Sequence, residues 1–191
     1  YGLKPSYGRI SRYGLVAHAS SFDTIGIMSK SIKDVYSTFC AIAGRDNKDS
    51  TSMNINIPKI SSLKDAKLPE SIGIINDKIL EQVNIEIIEK YRQLVSYLKS
   101  KKVQIIEIDL PYFEYCIPAY YVLTMAEASS NLSRFDGVRY GNRANTKDLY
   151  KLYIDSRSKG FSDEVKRRIM TGTYVLSSGY YDAYFSKALK V

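Results

Sequence analysis

A strand, a helix and a second strand follow one another within residues 71–110, and this order constrains the fold more than any other feature. Residues 72–75 and 103–108 are short apolar runs bounded by turn formers, typical of strands. The stretch between them is amphipathic, with apolar residues at helical spacing at Leu80, Val83, Ile87, Tyr91, Leu94, Val95 and Leu98. A crossover of this length joins parallel strands and places a helix against the sheet. The sequence therefore predicts an α/β fold.

Residues 118–141 contain a second predicted helix, which runs into a dense polar cluster. Pro118 suits the first turn, since proline lacks the N–H that a first turn does not use. One face of this helix is small in its middle, which would let another backbone approach closely; its residues are Ala126, Ala128, Ser129 and Ser130. Arg134, Asp136 and Arg139 follow around two glycines. We interpret these three as structural or interface-forming and assign them no part in catalysis.

The N-terminal part alternates short apolar pieces with glycine-containing loops. Residues 15–17 are predicted to form a strand, bounded by a glycine and a pair of serines. Arg9 and Arg12 can hold either a carboxylate or a neighbouring loop, and a loop is the commoner role. A helix is predicted over 31–43, where Ser31 with an aspartate three residues later resembles a capping box.

Three further stretches give weaker signals. Residues 45–69 are polar and rich in turn formers, which is typical of a surface connection. Residues 142–163 are again polar, between two glycines. The C-terminal stretch 164–190 fits helices and a hairpin about equally well on propensity alone.

Composition narrows the class of protein. The chain has 191 residues, 45% of them hydrophobic, which is enough for one domain with a sizeable core, and we predict a single domain over 1–191. No apolar run approaches the roughly 20 residues of a membrane helix, so we expect no membrane partner. Cys40 and Cys116 form no metal-binding pattern, so we expect buried free thiols in a reducing cytoplasm and no metal site. A Ser-His-Asp hydrolase would depend on His18, the single histidine, and is not favoured.

The charge of the chain leaves one non-enzymatic class open. The net charge is +8, and 17 tyrosines are present. Nine basic and four acidic residues fall between Arg139 and Arg168. Such a surface can bind the phosphates and bases of RNA, but it can also serve solubility alone, and no motif of the common RNA-binding modules is present.

Three stretches carry a resemblance to a known family. They are GLKPSYGRISRYGLVAHASSFD at the start, EASSNLSRFDGVRYG in the middle and GFSDEVKRRIMTGTYVLSSGYYDAYFSKALKV at the end. In this order they resemble the amidase-signature family, and the second and third are typical of its glutamyl-tRNA(Gln) amidotransferase A subunits. The usual Gly-Pro pair of the family is Gly26-Ile27 here, which relaxes that loop. The resemblance implies the amidase-signature fold, a central mixed β-sheet covered by helices on both faces, with helices in the C-terminal stretch.

The resemblance also implies which residues bind substrate. Amidases of this family use a Ser–cis-Ser–Lys triad, and neither segment that carries it occurs in this sequence. We therefore expect an internal fragment of a longer chain, without a catalytic residue and inactive alone. In A subunits, the first tyrosine of a Pro-x-Tyr-Tyr segment and the second arginine of a Lys-Arg-Arg segment face the bound glutamine. By motif these are Tyr120 and Arg168. A guanidinium group suits the α-carboxylate, and a tyrosine hydroxyl can orient a small polar substrate.

For a whole enzyme of this kind, the resemblance implies glutamine-dependent amidation of Glu-tRNA(Gln) in the cytoplasm or in an organelle. The A subunit would hydrolyse glutamine and supply ammonia. The B subunit would use ATP and Mg²⁺ and make most of the tRNA contact, and the C subunit would tie the pair together. We expect no cofactor on this chain. Two alternatives stay open: another amidase-signature amide hydrolase, and a basic, tyrosine-rich module that binds RNA or a protein.

Overall fold

The computed structural model combines helices with short strands, so the predicted α/β class is confirmed. It describes residues 1–57, 67–81 and 83–191. The described residues group into two compact units, one formed by Tyr1–Pro58 with Ile117–Val191 and the other by Lys59–Cys116. Within the described ranges the strands form two two-stranded sheets, where the resemblance implies one central sheet. The part 58–66 of the predicted surface connection lies outside the described residues.

The first unit begins with a short antiparallel pair and a capped helix. Strand β1 (Gly2–Leu3) pairs with β2 (Ile27–Met28), and helix α1 covers Ile32–Ile42. The Ser31 hydroxyl accepts a hydrogen bond from the Asp34 backbone N–H at 3.4 Å, which confirms the predicted helix start. The core between these elements is aliphatic and consists of Ile10, Ile27 and Val35.

Residues 15–17 do not form the predicted strand. A turn precedes them, in which the Leu15 N–H donates to the Arg12 carbonyl at 3.0 Å. The two amides that follow them donate to the Asp23 carboxylate at 2.9 and 3.1 Å. These local hydrogen bonds take the place of a strand ladder, since short polar side chains compete with sheet pairing for the backbone.

The second unit contains the strand-helix-strand motif that the sequence predicts. Strands β3 (Ser71–Ile75) and β4 (Gln104–Ile108) are parallel and fully in register. The connection between them holds helix α2 (Asp77–Leu80) and helix α3 (Ile85–Ser100). The predicted single helix is interrupted because the Asn84 side chain accepts a hydrogen bond from the Glu86 N–H at 2.8 Å and caps a new helix there.

Helices dominate the rest of the first unit. Helix α4 (Cys116–Asn131) begins two residues before Pro118, which still lies in the first turn, where N–H groups have no helical partner. The polar stretch 142–163 contains helix α5 (Leu149–Gly160), which the sequence does not predict. The C-terminal stretch is helical, as the resemblance implies, with α6 (Asp163–Val175), a π-helical turn (Tyr181–Phe185) and α7 (Ser186–Lys190).

Helices α4 and α6 touch through small residues. Thr124, Ala126 and Ala128 are almost completely buried. A Cβ atom added to Gly172 of α6 would lie 2.6 Å from the Met125 carbonyl carbon and 2.8 Å from the Ser129 Cβ of α4. The two backbones are therefore as close as a glycine allows, which confirms the prediction of close approach at the small face of α4.

Both cysteines are free, as predicted, but neither is buried: Cys40 is half-buried and Cys116 exposed. Among the described residues, no helix has the length and hydropathy needed to cross a bilayer. In the same part of the chain, no group of three His, Cys, Asp or Glu side chains is arranged to hold a metal ion.

Candidate functional site

Tyr120 lies in the second turn of α4 and presents a free hydroxyl. Its ring packs edge-on against Phe22, with centroids 5.9 Å apart, and against Tyr121 at 5.6 Å. The residue is 46% exposed, and no described residue hydrogen-bonds to its hydroxyl. Two aromatic contacts therefore fix the ring, while the hydroxyl is available to a ligand.

The loop that carries Phe22, residues 18–23, is bound along one side of α4. The Ser21 backbone N–H donates to the Glu127 carboxylate at 2.9 Å. The Asn131 amide donates to the His18 carbonyl at 3.2 Å and to the Ser20 hydroxyl at 3.1 Å. Tyr120, Glu127 and Asn131 share one helical face, because seven and eleven residues are close to whole numbers of turns. The 18–23 loop and this face of α4 thus form one hydrogen-bonded unit.

Arg12 makes a second set of hydrogen bonds to the 18–23 loop. Its guanidinium donates to the Ser20 carbonyl at 2.6 Å and to the Asp23 carbonyl at 3.3 Å. It also donates to the Tyr7 hydroxyl at 2.6 Å and to the Thr51 hydroxyl at 3.1 Å, and it lies 4.6 Å from the centre of the Tyr7 ring. The sequence left two roles open for Arg12, binding a carboxylate or holding a neighbouring loop, and the second is confirmed.

Asp49 supports the Arg12 backbone and should give the protein a measurable acid sensitivity. Hydrogen bonds from the Arg12 N–H, and then from the Thr51 hydroxyl and N–H, lower its pKa to about 2. The folded state therefore favours the ionised carboxylate, whose stabilisation is complete above the unfolded pKa of about 4 and is lost as the pH falls towards 2. In Asp49→Asn, the unfolding free energy should decrease less between about pH 4 and about pH 2 than it does in the wild type. The control is Asp155→Asn, whose carboxylate accepts no hydrogen bond from a described residue, and equal pH slopes in wild type and Asp49→Asn would contradict the prediction.

In the polar cluster after α4, the side chains of Asp136 and Arg134 make structural hydrogen bonds, in agreement with the interpretation from the sequence. Hydrogen bonds from the Val138 and Arg139 N–H groups lower the pKa of Asp136, which closes a turn at Gly137. Arg134 donates to the Asn131 carbonyl at 3.0 Å. These side chains satisfy the last carbonyls and the turn that follow the helix, and none of these hydrogen bonds leads to Tyr120.

Arg168 lies on α6, where an acidic side chain one turn earlier holds its Nε. The Nε–H donates to Glu164 Oε1 at 2.9 Å, and Arg167 donates to the other oxygen of the same carboxylate. The Arg168 side chain is 32% exposed, against 70% for Arg167. No described residue accepts a hydrogen bond from the two terminal nitrogens of Arg168. That end of the guanidinium is therefore free to bind a carboxylate.

The structure does not bring Tyr120 and Arg168 into contact. Arg168 precedes Gly172 by one turn, or roughly 6 Å along α6, and Tyr120 precedes Met125 by roughly 7.5 Å along α4. Both lie within about one and a half turns of the crossing of the two helices, but no hydrogen bond or ring contact joins them. Neither lines the cleft of about 300 Å³ beside Arg12 and Asp49, or the clefts of about 240 and 230 Å³ beside Phe161.

The sequence interpretation missed three residues that hold the candidate side chains and the loop. They are Glu127, Asn131 and Glu164. Spacing offers a signal in each case, because Glu127 and Asn131 are four residues apart on α4, and Glu164 lies four residues before Arg168 on α6. The partner of the first two is more than 100 residues away in the chain, and spacing alone does not identify it.

Relatives of known name match the whole chain. The chain is 51% identical to the A subunit of glutamyl-tRNA(Gln) amidotransferase from Wolinella succinogenes, over 100% of its own length and 42% of that protein. It is 52% identical to the protein of the same name from Helicobacter pylori strain P12, over 98% of the chain and 41% of that protein. The chain thus spans about two-fifths of the length of the curated relatives that it matches.

Solved structures and a family model agree with this comparison. The crystal structure of the A subunit of glutamyl-tRNA(Gln) amidotransferase from Thermotoga maritima superposes with a TM-score of 0.66 at 31% identity, over 98% of this chain and 36% of that one. An amidase crystal structure superposes with a TM-score of 0.60 over 95% of this chain and 34% of that one, and at 19% identity it supports the fold alone. The family model named Amidase matches residues 1–191. The chain therefore belongs to the amidase family, and its fold is that of the amidase-signature proteins.

Proposed function

We propose that this chain is part of the A subunit of a glutamine-dependent Glu-tRNA(Gln) amidotransferase and contributes side chains that bind glutamine. The proposal is supported by relatives of that name at about half identity over the whole chain. In the proposed reaction the A subunit hydrolyses the side-chain amide of glutamine and releases ammonia. The ammonia then converts tRNA-bound glutamate to glutamine.

The observation that carries the assignment of a site is the free end of Arg168. A guanidinium whose Nε is already bound presents two parallel N–H groups from its terminal nitrogens, which match the two oxygens of an α-carboxylate. Tyr120 adds a hydroxyl on a ring that two aromatic neighbours hold, and this hydroxyl can bind another polar group of the same amino acid. Arg168 thus sets the class of substrate, and Tyr120 orients it.

Partner subunits complete the proposed enzyme. The B subunit uses ATP and Mg²⁺ to activate the tRNA-bound glutamate and makes most of the tRNA contact, and the C subunit holds the pair together. This chain binds glutamine and no cofactor in the proposed complex. The nucleophilic serine, its bridging serine and the lysine belong to segments that this sequence does not contain.

The experiment is glutaminase kinetics of the full-length protein in complex with the B and C subunits. Arg168→Ala should raise the KM for glutamine by about tenfold to a hundredfold, the value expected for losing charge-assisted hydrogen bonds to a carboxylate. Arg167→Ala is the matched control, because Arg167 is adjacent, contacts the same glutamate and is far more exposed. Its KM should not change.

Each outcome separates the proposal from its alternatives. An unchanged KM in Arg168→Ala would remove Arg168 from the site. A wild-type complex that hydrolyses other free amides but not glutamine would favour another amidase-signature hydrolase. A complex with no amide hydrolysis, but with salt-dependent RNA affinity in this chain, would favour the RNA-binding module.

A further inference from the structure

One carboxylate on α6 holds two neighbouring arginines in different ways. Glu164 accepts the Nε–H of Arg168 with one oxygen and a terminal N–H of Arg167 with the other. The bond to Nε is the more informative of the two, because it restrains the guanidinium without using either terminal nitrogen. Both terminal nitrogens of Arg168 remain without a hydrogen-bond partner among the described residues.

Restraining an arginine in this way favours ligand binding. A free arginine side chain has about 2 kcal/mol of rotamer entropy to lose, and a bound ligand must otherwise supply that ordering. The Arg168 side chain is two-thirds covered, so the bond to Glu164 adds to packing that already limits its motion. An exposed ion pair of this kind stabilises the fold very little, which makes orientation its more important effect.

The position of Glu164 keeps it ionised and in place. It lies in the first turn of α6, where the helix dipole favours an anion and Ser162 caps the backbone. The hydrogen bond from Arg168, and then the charges of both arginines, lower the pKa of Glu164. The acceptor for Arg168 Nε is therefore a carboxylate throughout the neutral pH range.

From this geometry we infer that Glu164 is the positioning residue of the glutamine site, which fixes the Arg168 guanidinium in the orientation that receives the substrate α-carboxylate. The inference rests on the proposed function and deepens it, since it names a residue that acts on substrate only through another side chain. Glu164 itself does not touch glutamine, whose carboxylate it would repel.

The alternative explanation is that Glu164 merely stabilises the start of α6. Asp163 provides the control, because it lies in the same turn and has the same charge. Among the residues that the structure describes, its carboxylate pairs with Lys166 alone, at 3.3 Å, and its side chain is 94% exposed. A helix-end effect should therefore appear in Asp163→Ala as strongly as in Glu164→Ala.

The test is glutaminase kinetics of the full-length complex. Glu164→Ala should raise the KM for glutamine about threefold to tenfold with kcat unchanged, the range expected when one ordered side chain becomes mobile. Glu164→Gln should restore most of the affinity, since its amide oxygen still accepts the Nε–H. Asp163→Ala should leave KM unchanged. In an Arg168→Ala background, Glu164→Ala should have no further effect, because a positioning residue acts only through the arginine.

Failure of the inference and failure of the proposed function give different results. If Arg168→Ala raises KM and Glu164→Ala does not, or if the effects of the two changes add, the positioning role is overturned and the glutamine site stands. If Asp163→Ala raises KM as much as Glu164→Ala, the effect belongs to the helix end. If Arg168→Ala leaves KM unchanged, the proposed site itself is wrong. Should Glu164→Ala not fold, the Glu164→Gln variant decides, because a tenfold rise in its KM would contradict the role of the Nε acceptor.

Discussion

Replacing Gly172 with alanine is expected to lower the unfolding free energy of the protein by at least about 2 kcal/mol, despite the higher helix propensity of alanine. The new methyl group would overlap the Met125 carbonyl and lie 2.8 Å from the Ser129 Cβ. Both neighbours belong to the backbone or are fixed to it, so no rotamer change can make room. Helices α4 and α6 must move apart, and urea unfolding of the full-length protein measures the cost.

Gly160 provides the control for this change. It also lies in a helix, at the end of α5, and a Cβ atom added there meets nothing within 4 Å. Gly160→Ala should therefore be neutral or slightly stabilising, since only the gain in helix propensity remains. Equal effects of the two substitutions would contradict the close contact between α4 and α6. Because α4 carries Tyr120 and α6 carries Arg168, Gly172→Ala should also weaken the proposed binding of glutamine in protein that is still folded.

The elements that sequence alone predicts are those whose signal is local. The strands around 72–75 and 103–108 and the helix between them have clear periodicity; both strands are found, and the helical stretch is found divided into α2 and α3. Helix α5 is not predicted because it buries little apolar surface. Its buried residues are Leu152 and Ser156, so the sequence shows no continuous apolar stripe at helical spacing. Residues 15–17 look like a strand, but the Asp23 carboxylate binds the amides that follow them. The geometry of the turn decides which polar side chain hydrogen-bonds to the backbone there, and that geometry cannot be predicted from the composition of the stretch.

The candidate site also has a part that the sequence predicts and a part that it does not. Tyr120 and Arg168 follow from a resemblance of motifs, and their place on α4 and α6 agrees with the predicted helices. Their supports do not follow from the sequence, because the 18–23 loop reaches Glu127 and Asn131 from more than 100 residues away. Only folding creates such contacts, and no local pattern favours Ser21 over the other exposed amides as the partner of Glu127.

Removing the Arg12 side chain is expected to have the second large effect on stability. Arg12→Ala should lower the unfolding free energy by about 2–3 kcal/mol, because it removes strong hydrogen bonds from a charged donor to four acceptors, and three of these bonds are partly buried. These acceptors are the Ser20 and Asp23 carbonyls and the Tyr7 and Thr51 hydroxyls. The buried Arg12 Nε has no hydrogen-bond partner among the described residues, which destabilises the wild type. The substitution removes this unpaired group, and the net loss of unfolding free energy is therefore smaller than the loss of the hydrogen bonds alone.

Arg9→Ala is the matched control for Arg12→Ala, since Arg9 makes two exposed hydrogen bonds of 3.2 Å to the carbonyls of Ile55 and Asn56. Removing the Arg9 side chain should lower the unfolding free energy by less than about 1 kcal/mol.

The two variants should also differ in the local stability of the 18–23 loop. In Arg12→Ala, the Ser21 amide that donates to Glu127 should exchange its hydrogen faster, because the 18–23 loop loses its hydrogen bonds to Arg12. Equal stability losses, or unchanged exchange at Ser21, would show that α4 alone holds the loop and its Phe22 against Tyr120.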